Sequence, residues 1–305
     1  MNIQKLIVGL RTAVSRLIAP RTLGLKAAVA MAVLSAITVV PVPSAYAASV
    51  AIVGQYTRWN AVIPVFTGLG DTVSTYSNYA SIPNLQAFDI IWDADYGGPA
   101  SDPTQAQRVV DFVNSGRGYY GQVERPCCDN HDIWLQGIFR TLTGDNDIVF
   151  GQAGDSPSGA ASQFLFPDLS ILLNPNDIRG TTFDSSAPGQ MAGIDPARIF
   201  AQQPGAGGFV VGAAWATTDL VNNAGRLVAV SDIDWLNSLS PSETDAIENF
   251  RIFLLSGQPL PPGCGQNPNL PGCQQGGNGV PEPGTLALLG LALAGLAGLR
   301  RRKAG

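Results

Sequence analysis

The chain predicts an α/β fold, an open and mainly parallel sheet with helices on both faces, and three observations carry that reading. Short apolar runs alternate with longer amphipathic ones between residues 49 and 257, the order that builds successive strand–helix units. Several runs hold a continuous apolar stretch before their carboxyl ends, as FDIIWDAD (88–95) does at Ile90, Ile91 and Trp92, which marks strands buried on both faces. The last amphipathic segment, SPSETDAIENFRIFLLSG at 240–257, opens on a helix-start signature and closes on glycine.

Taken in order, SVAIVG (49–54) is a short apolar strand ending at glycine, and RWNAVIPVFTGLG (58–70) carries apolar residues at helical spacing. TVSTYS (72–77) reads as a second strand and FDIIWDAD as a third. DPTQAQRVVDFVNSG (102–116) starts with Asp102 as N-cap and Pro103 in the first turn, places Val109, Val110 and Val113 on one side, and stops at Gly116. GYYGQV (118–123) is a strand, HDIWLQGIFRTLTG (131–144) a helix and DIVFG (147–151) a short strand. The stretch 152–207 is looser and rich in Gly, Pro, Ser and Asn, with LSILLN (169–174) as its clearest strand. GFVVGAAWA (208–216) and GRLVAVSDIDWL (225–236) restore strong strands. In the final helix Ser240 is the N-cap, Pro241 the first residue and Glu243 the reciprocal partner of a capping box.

The two ends differ from this middle. Residues 1–47 begin with a long basic region, continue through AAVAMAVLSAITVV and reach PVPSAYA, where Ala45 and Ala47 form an A-x-A cleavage site. That is the layout of a secretory signal peptide, with an uncleaved N-terminal anchor as the alternative. Residues 258–279 form a Pro/Gly-rich linker holding Cys264 and Cys273, for which a disulfide is the default in an exported protein. Thr285–Leu299 is an uncharged apolar run, shorter than the roughly 20 residues of a full membrane helix, followed by Arg300, Arg301, Arg302 and Lys303. That basic cluster would stay cytoplasmic and place the rest of the chain outside.

Charge sharpens the division. Residues 1–47 hold five bases and no acid, and residues 280–305 hold four bases and one acid, which leaves nine bases and 22 acids, a net of −13, for residues 48–279. Phosphate-rich partners are bound through Lys and Arg, so a middle this acidic excludes nucleic acid. All three lysines of the chain, Lys5, Lys26 and Lys303, lie in the two ends.

Val280, Pro281, Glu282, Pro283 and Gly284, followed by the apolar run and the terminal arginines, resemble the PEP-CTERM sorting signal of Gram-negative bacteria, an address read by an exosortase. The resemblance covers residues 280–305 and implies a protein exported by the cell's export machinery and held in the inner membrane. It further implies cleavage near Pro281–Pro283 and release to the envelope or outside, alongside exopolysaccharide. An ordinary C-terminal anchor is the alternative.

The middle, residues 48–257, is similar in element order to the class I glutamine amidotransferase-like, flavodoxin-like fold. In catalytic members of that family a nucleophilic cysteine follows the strand corresponding to GYYGQV, and a late histidine with glutamate completes a triad. Here the turn reads ERPCCDN, without the G-x-C-x-G elbow, and the late position reads SDIDWL. His131 is the sole histidine of the chain. A Cys127 or Cys128 thiol with His131 as base and Asp129 or Asp132 as orienting group is the enzymatic reading. Structural or redox cysteines lead over it, and a Cys/Asp/His metal site stands between, although the spacing matches no usual zinc pattern.

Asp93 and Asp95 end one strand, and Asp232 and Asp234 end another. Ligands of open parallel sheets bind at the carboxyl ends of strands, so if these two strands are neighbours four carboxylates converge, a set suited to a divalent cation such as Ca²⁺ or Mg²⁺. The alternative is that they cap the turns that follow. Trp92, Tyr96, Tyr119, Tyr120, Trp134 and Trp235 lie near these strand ends and offer either a sugar-binding face or core packing. The leading expectation is an exported, non-catalytic α/β domain that binds a ligand in the envelope or matrix, and the alternative is a hydrolase using the cysteine–histidine pair or a metal.

Overall fold

The computed structural model describes residues 47–54, 60–95, 103–154, 161–204 and 208–256, with the side chains of 103, 128 and 129 excepted. Strand β1 (Ser49–Val53) lies inside the sheet because its residues alternate between two apolar layers. Val50 and Ile52 point into one core, and Ala51 and Val53 into the other, the period-2 geometry of an extended chain. It pairs in parallel with β2 (Thr72–Tyr76) on one side and β3 (Ile90–Asp93) on the other. Next to β3 comes β4 (Gly118–Val123), buried at all six positions, and next to it β9 (Arg226–Ser231), again parallel.

Helices α1 (Val62–Gly68) and α5 (Pro241–Leu255) cover one face. Val62 and Phe66 meet Ile247, Phe250 and Leu254 there, over Trp92, Tyr120 and Trp235. The Trp92 and Tyr120 rings stack with centroids 3.8 Å apart, and Trp235 Nε1 donates to Tyr120 Oη at 3.2 Å, so the polar edge of Trp235 finds a partner inside the core, whereas Trp92 Nε1 is buried without one. Helices α2 (Pro103–Asn114) and α3 (Asp129–Thr143) cover the other face through Val109, Phe112, Leu135 and Phe139. The predicted capping box is present: Ser240 Oγ accepts from Glu243 N at 3.3 Å, and Glu243 Oε2 accepts from Ser240 N at 2.6 Å.

The expected α/β architecture is therefore present, and its sheet continues beyond the parallel half. Strand β8 (Phe209–Trp215) runs antiparallel to β9, followed by β7 (Ile199–Gln203), β5 (Ser162–Phe164) and β6 (Thr182–Phe183), all in antiparallel pairs. The full order is β2-β1-β3-β4-β9-β8-β7-β5-β6. Two sequence expectations are corrected. LSILLN is a single helical turn, α4 (Ser170–Leu173), whose Ile171 and Leu172 are buried and whose Ile171 carbonyl accepts from Asn249 Nδ2 of α5 at 3.1 Å; a short apolar run has no period long enough to separate strand from turn. DIVFG forms no strand, only an isolated bridge from Val149 to Ala192.

Candidate functional site

Five parallel strands deliver their carboxyl ends to one edge: β2 at Tyr76, β1 at Gly54, β3 at Asp93–Asp95, β4 at Glu124 and β9 at Asp232. The chain leaves β1 toward β2 on one side and returns to β3 on the other, so the topological switch point lies between β1 and β3, where ligands of open α/β sheets bind. Gly54 belongs there: an added Cβ would stand 3.1 Å from the Ala94 carbonyl oxygen, so a side chain would press against the end of β3.

Asp93 is completely buried at this edge and its carboxylate is an acceptor hub. Its Oδ2 accepts from Tyr79 Oη at 2.6 Å and from Tyr119 Oη at 2.8 Å, while Oδ1 accepts from Asp95 N at 3.1 Å. His131, in the first turn of α3, brings Nε2 to 3.5 Å from Asp93 Oδ1, and its side chain is 4 % exposed. Burial pulls the His131 pKa down, but the carboxylates of Asp93, Asp95 and Asp132 outweigh it and hold it above the ordinary value. Burial, and then Asp93, drives Tyr79 and Tyr119 well above the usual phenol range, so both remain donors.

Glu124 and Asp232 form a second cluster on the other side of β4. Glu124 Oε1 accepts from Ile233 N at 2.5 Å, and Glu124 N donates to Asp132 Oδ1 at 2.9 Å. Burial pushes the Glu124 carboxyl up to about 8; Asp232, Asp132 and Asp234 add to the rise and the Ile233 bond opposes it. Asp232 is raised by burial too. Its backbone is held at φ 77°, a left-handed value that costs a side-chain-bearing residue energy, and its Oδ1 accepts from Asp234 N at 2.9 Å.

A strap, residues 184–191, crosses the ends of β4 and β9. Ala187 N donates to Asp232 Oδ2 at 2.7 Å, Ser186 Oγ donates to Asp234 Oδ2, and Asp184 N donates to Glu243 Oε1 at 2.7 Å. Gly189 lets the strap lie flat, since a Cβ there would stand 2.2 Å from the Glu124 carbonyl oxygen.

These positions redistribute the sequence-predicted residues. The condition for four converging carboxylates fails, because β4 separates β3 from β9; Asp93 and Asp95 serve the tyrosine–histidine cluster, and Asp232 and Asp234 serve the strap and the turn at 233–236. Among the described residues no group of three or more His, Cys, Asp or Glu side chains is arranged to hold a metal. Cys127 is a free, exposed thiol, whereas His131 is buried with its Nε2 turned to Asp93 and without a hydrogen bond. The aromatic sugar-face reading is corrected for Trp92, Tyr119, Tyr120, Trp134 and Trp235, which are all buried; Tyr96 lies outside the described residues. So do Cys264, Cys273, the Pro281–Glu282–Pro283 motif and the terminal apolar run, together with the side chains of Cys128 and Asp129. No helix among the described residues is long and apolar enough to cross a membrane. Sequence reasoning passed over Glu124 and Tyr79. Glu124 had a signal, a carboxylate directly after the uncharged strand GYYGQV.

Comparison with known proteins separates the tail from the domain. Residues 279–303 match the PEP-CTERM protein-sorting motif, which makes this an exported protein with an exosortase as processing partner and a C-terminus that anchors it transiently before processing. No curated protein matches the chain. Among solved structures, the mmIFT52 N-terminal domain superposes with a TM-score of 0.51 at 11 % identity, covering 68 % of this chain and 97 % of that one. A ThuA-like protein from Bacteroides uniformis gives a TM-score of 0.47 at 10 % identity, covering 69 % of this chain and 91 % of that one. At such identities the first likeness is one of fold alone, and it agrees with the α/β architecture described above.

Proposed function

We propose that the α/β domain is a non-catalytic binding module, exported by cleavage after Ala47, sorted through Pro281–Glu282–Pro283 and displayed in the envelope or matrix, where it holds a hydroxyl-rich neutral polysaccharide at the β1/β3 switch point. The observation that carries the non-catalytic part is the placement of His131. The one histidine of the chain faces Asp93 in the interior, whereas a nucleophile–base couple needs the ring within hydrogen-bond reach of a thiol. The ligand class follows from charge and chemistry. A net of −13 over residues 48–279 repels anionic polymers, and Asp95, at the carboxyl end of β3 beside the buried Asp93, supplies a carboxylate acceptor of the kind sugar hydroxyls require.

The test is co-sedimentation of the processed protein with neutral and with anionic polysaccharide, for the parent and for Asp95→Asn. Retention by the neutral polymer that the substitution weakens is the expected result. Equal retention of both proteins, or preference for the anionic polymer, overturns the assignment. Replacing Pro281 and Pro283 by Ala should leave the C-terminal segment attached in the membrane fraction; release despite the replacement would show that the motif is not the address.

A further inference from the structure

The chain enters the sheet at Ala48. Ala47 is exposed, whereas Ala48 is 1 % exposed. The Ala48 carbonyl accepts from Thr72 N at 2.8 Å, and its N–H donates to Asp71 Oδ1, also at 2.8 Å. The Asp71 side chain is completely buried. Arg251 of α5 grips both of its oxygens, Nε to Oδ2 at 2.6 Å and Nη2 to Oδ1 at 2.5 Å. A buried carboxylate therefore faces the nitrogen of the residue that directly follows the A-x-A site.

We infer that this carboxylate is a docking site for the mature N-terminus: cleavage after Ala47 turns the Ala48 N–H contact into an ammonium–carboxylate pair on Asp71. The inference rests on the export reading above and adds what becomes of the new terminus. The step is hydrolysis by a leader peptidase of the exporting cell. Water supplies the hydroxyl that joins the Ala47 carbonyl carbon, the C–N bond to Ala48 breaks, and the nitrogen departs as an amine that takes up a proton while the new Ala47 carboxyl releases one. The nitrogen keeps its direction toward Oδ1 and gains a charge, which roughly doubles the strength of such a bond.

The surroundings suit a charged terminus. Ser49 N donates to Asp89 Oδ2 at 2.8 Å and Thr72 N holds the Ala48 carbonyl, so the first residue cannot swing away. Arg251 approaches Asp71 from the helix side, and the amine approaches from the strand end. The departure of the exposed Ala47 opens one side of the amine to water, which lowers the desolvation cost of placing a second cation on the same carboxylate.

The lysine distribution makes the test selective. Lys5, Lys26 and Lys303 all lie in the removed ends, so the α-amine is the sole primary amine of the doubly processed chain. The full chain is expressed in an exporting host, recovered in processed form and treated with an amine-reactive ester at pH 7, folded and in urea, with intact mass as readout. An opposite charge in contact raises an amine pKa by one unit or more above its usual value near 8, so the folded protein is expected to label at least about tenfold more slowly than the unfolded one. A variant with one glycine inserted between Ala47 and Ala48 restores the amide N–H to Asp71 and carries the amine into solvent, and it should label at the unfolded rate. Equal labelling of folded and unfolded parent, or protection of the insertion variant, overturns the docking. A mass beginning at any residue other than Ala48 overturns the cleavage position itself, and so separates failure of the export reading from failure of this one.

Discussion

Glu124→Gln isolates the consequence of burying a carboxyl between Asp132 and Asp232. The folded protein holds Glu124 up to about 8 against an ordinary value of 4.5, so between those limits the folded state binds a proton that the unfolded state has released. Stability then falls as pH rises through that window. At about 1.4 kcal/mol for each factor of ten, the gap corresponds to a loss on the order of 5 kcal/mol between mild acid and pH 8. Glutamine keeps an oxygen to accept from Ile233 N and mimics the neutral carboxyl. The variant should therefore match the parent near pH 5 and exceed it by several kcal/mol near pH 8. Urea unfolding at unit steps from pH 5 to pH 9 measures both curves. His131 and Asp232, both raised, contribute slopes of the same sign and remain in both proteins, so the difference between the curves belongs to Glu124. Parallel curves, with the same loss from pH 5 to pH 8 in parent and variant, would refute the argument.

Gly189→Ala forces a Cβ to 2.2 Å from the Glu124 carbonyl oxygen, so the strap must lift, and a loss of about 2 kcal/mol or more is expected from thermal unfolding. Arg251→Met removes the guanidinium from Asp71 and leaves that buried side chain facing the Ala48 nitrogen; the cost is about 3 kcal/mol or more, and adding Asp71→Asn should recover most of it. Cys127→Ser removes an exposed thiol and should change stability by no more than about 0.5 kcal/mol, with polysaccharide retention unchanged; a large loss of either would return Cys127 to the site.

The parallel half of the fold was legible because its signals are local. SVAIV, IIWD and GYYGQV are short buried runs, and Ser240 with Glu243 announces a helix start whatever surrounds it. The antiparallel half was not legible for the opposite reason. The direction of GFVVGAAWA depends on the turn before it and on β9 beside it, and its seven residues read the same either way. LSILLN failed because one buried turn and one buried strand expose the same apolar string. At the site, Asp93 and Asp232 were correctly placed at strand ends, but adjacency is a property of strand order, which no residue near them encodes. Glu124 could have been singled out, since a carboxylate on the last step out of a buried strand must be neutralised, paired or protonated.

The two clusters at the carboxyl edge divide it into unequal halves. The strap spends its hydrogen bonds on Asp232, Asp234 and Glu243 and its glycine on Glu124, so a ligand over β4 and β9 would have to displace backbone contacts and leave buried carboxyls unpaired, at a cost of about 1–3 kcal/mol for each group. Over β1 and β3 the arrangement differs. Asp93 is satisfied from within the domain by Tyr79 and Tyr119, and the strap makes its side-chain contacts on the other cluster. His131 cannot serve both halves: turning its ring toward a thiol would withdraw it from Asp93 and leave that side chain with the Tyr79 and Tyr119 hydroxyls and the Asp95 amide as its partners.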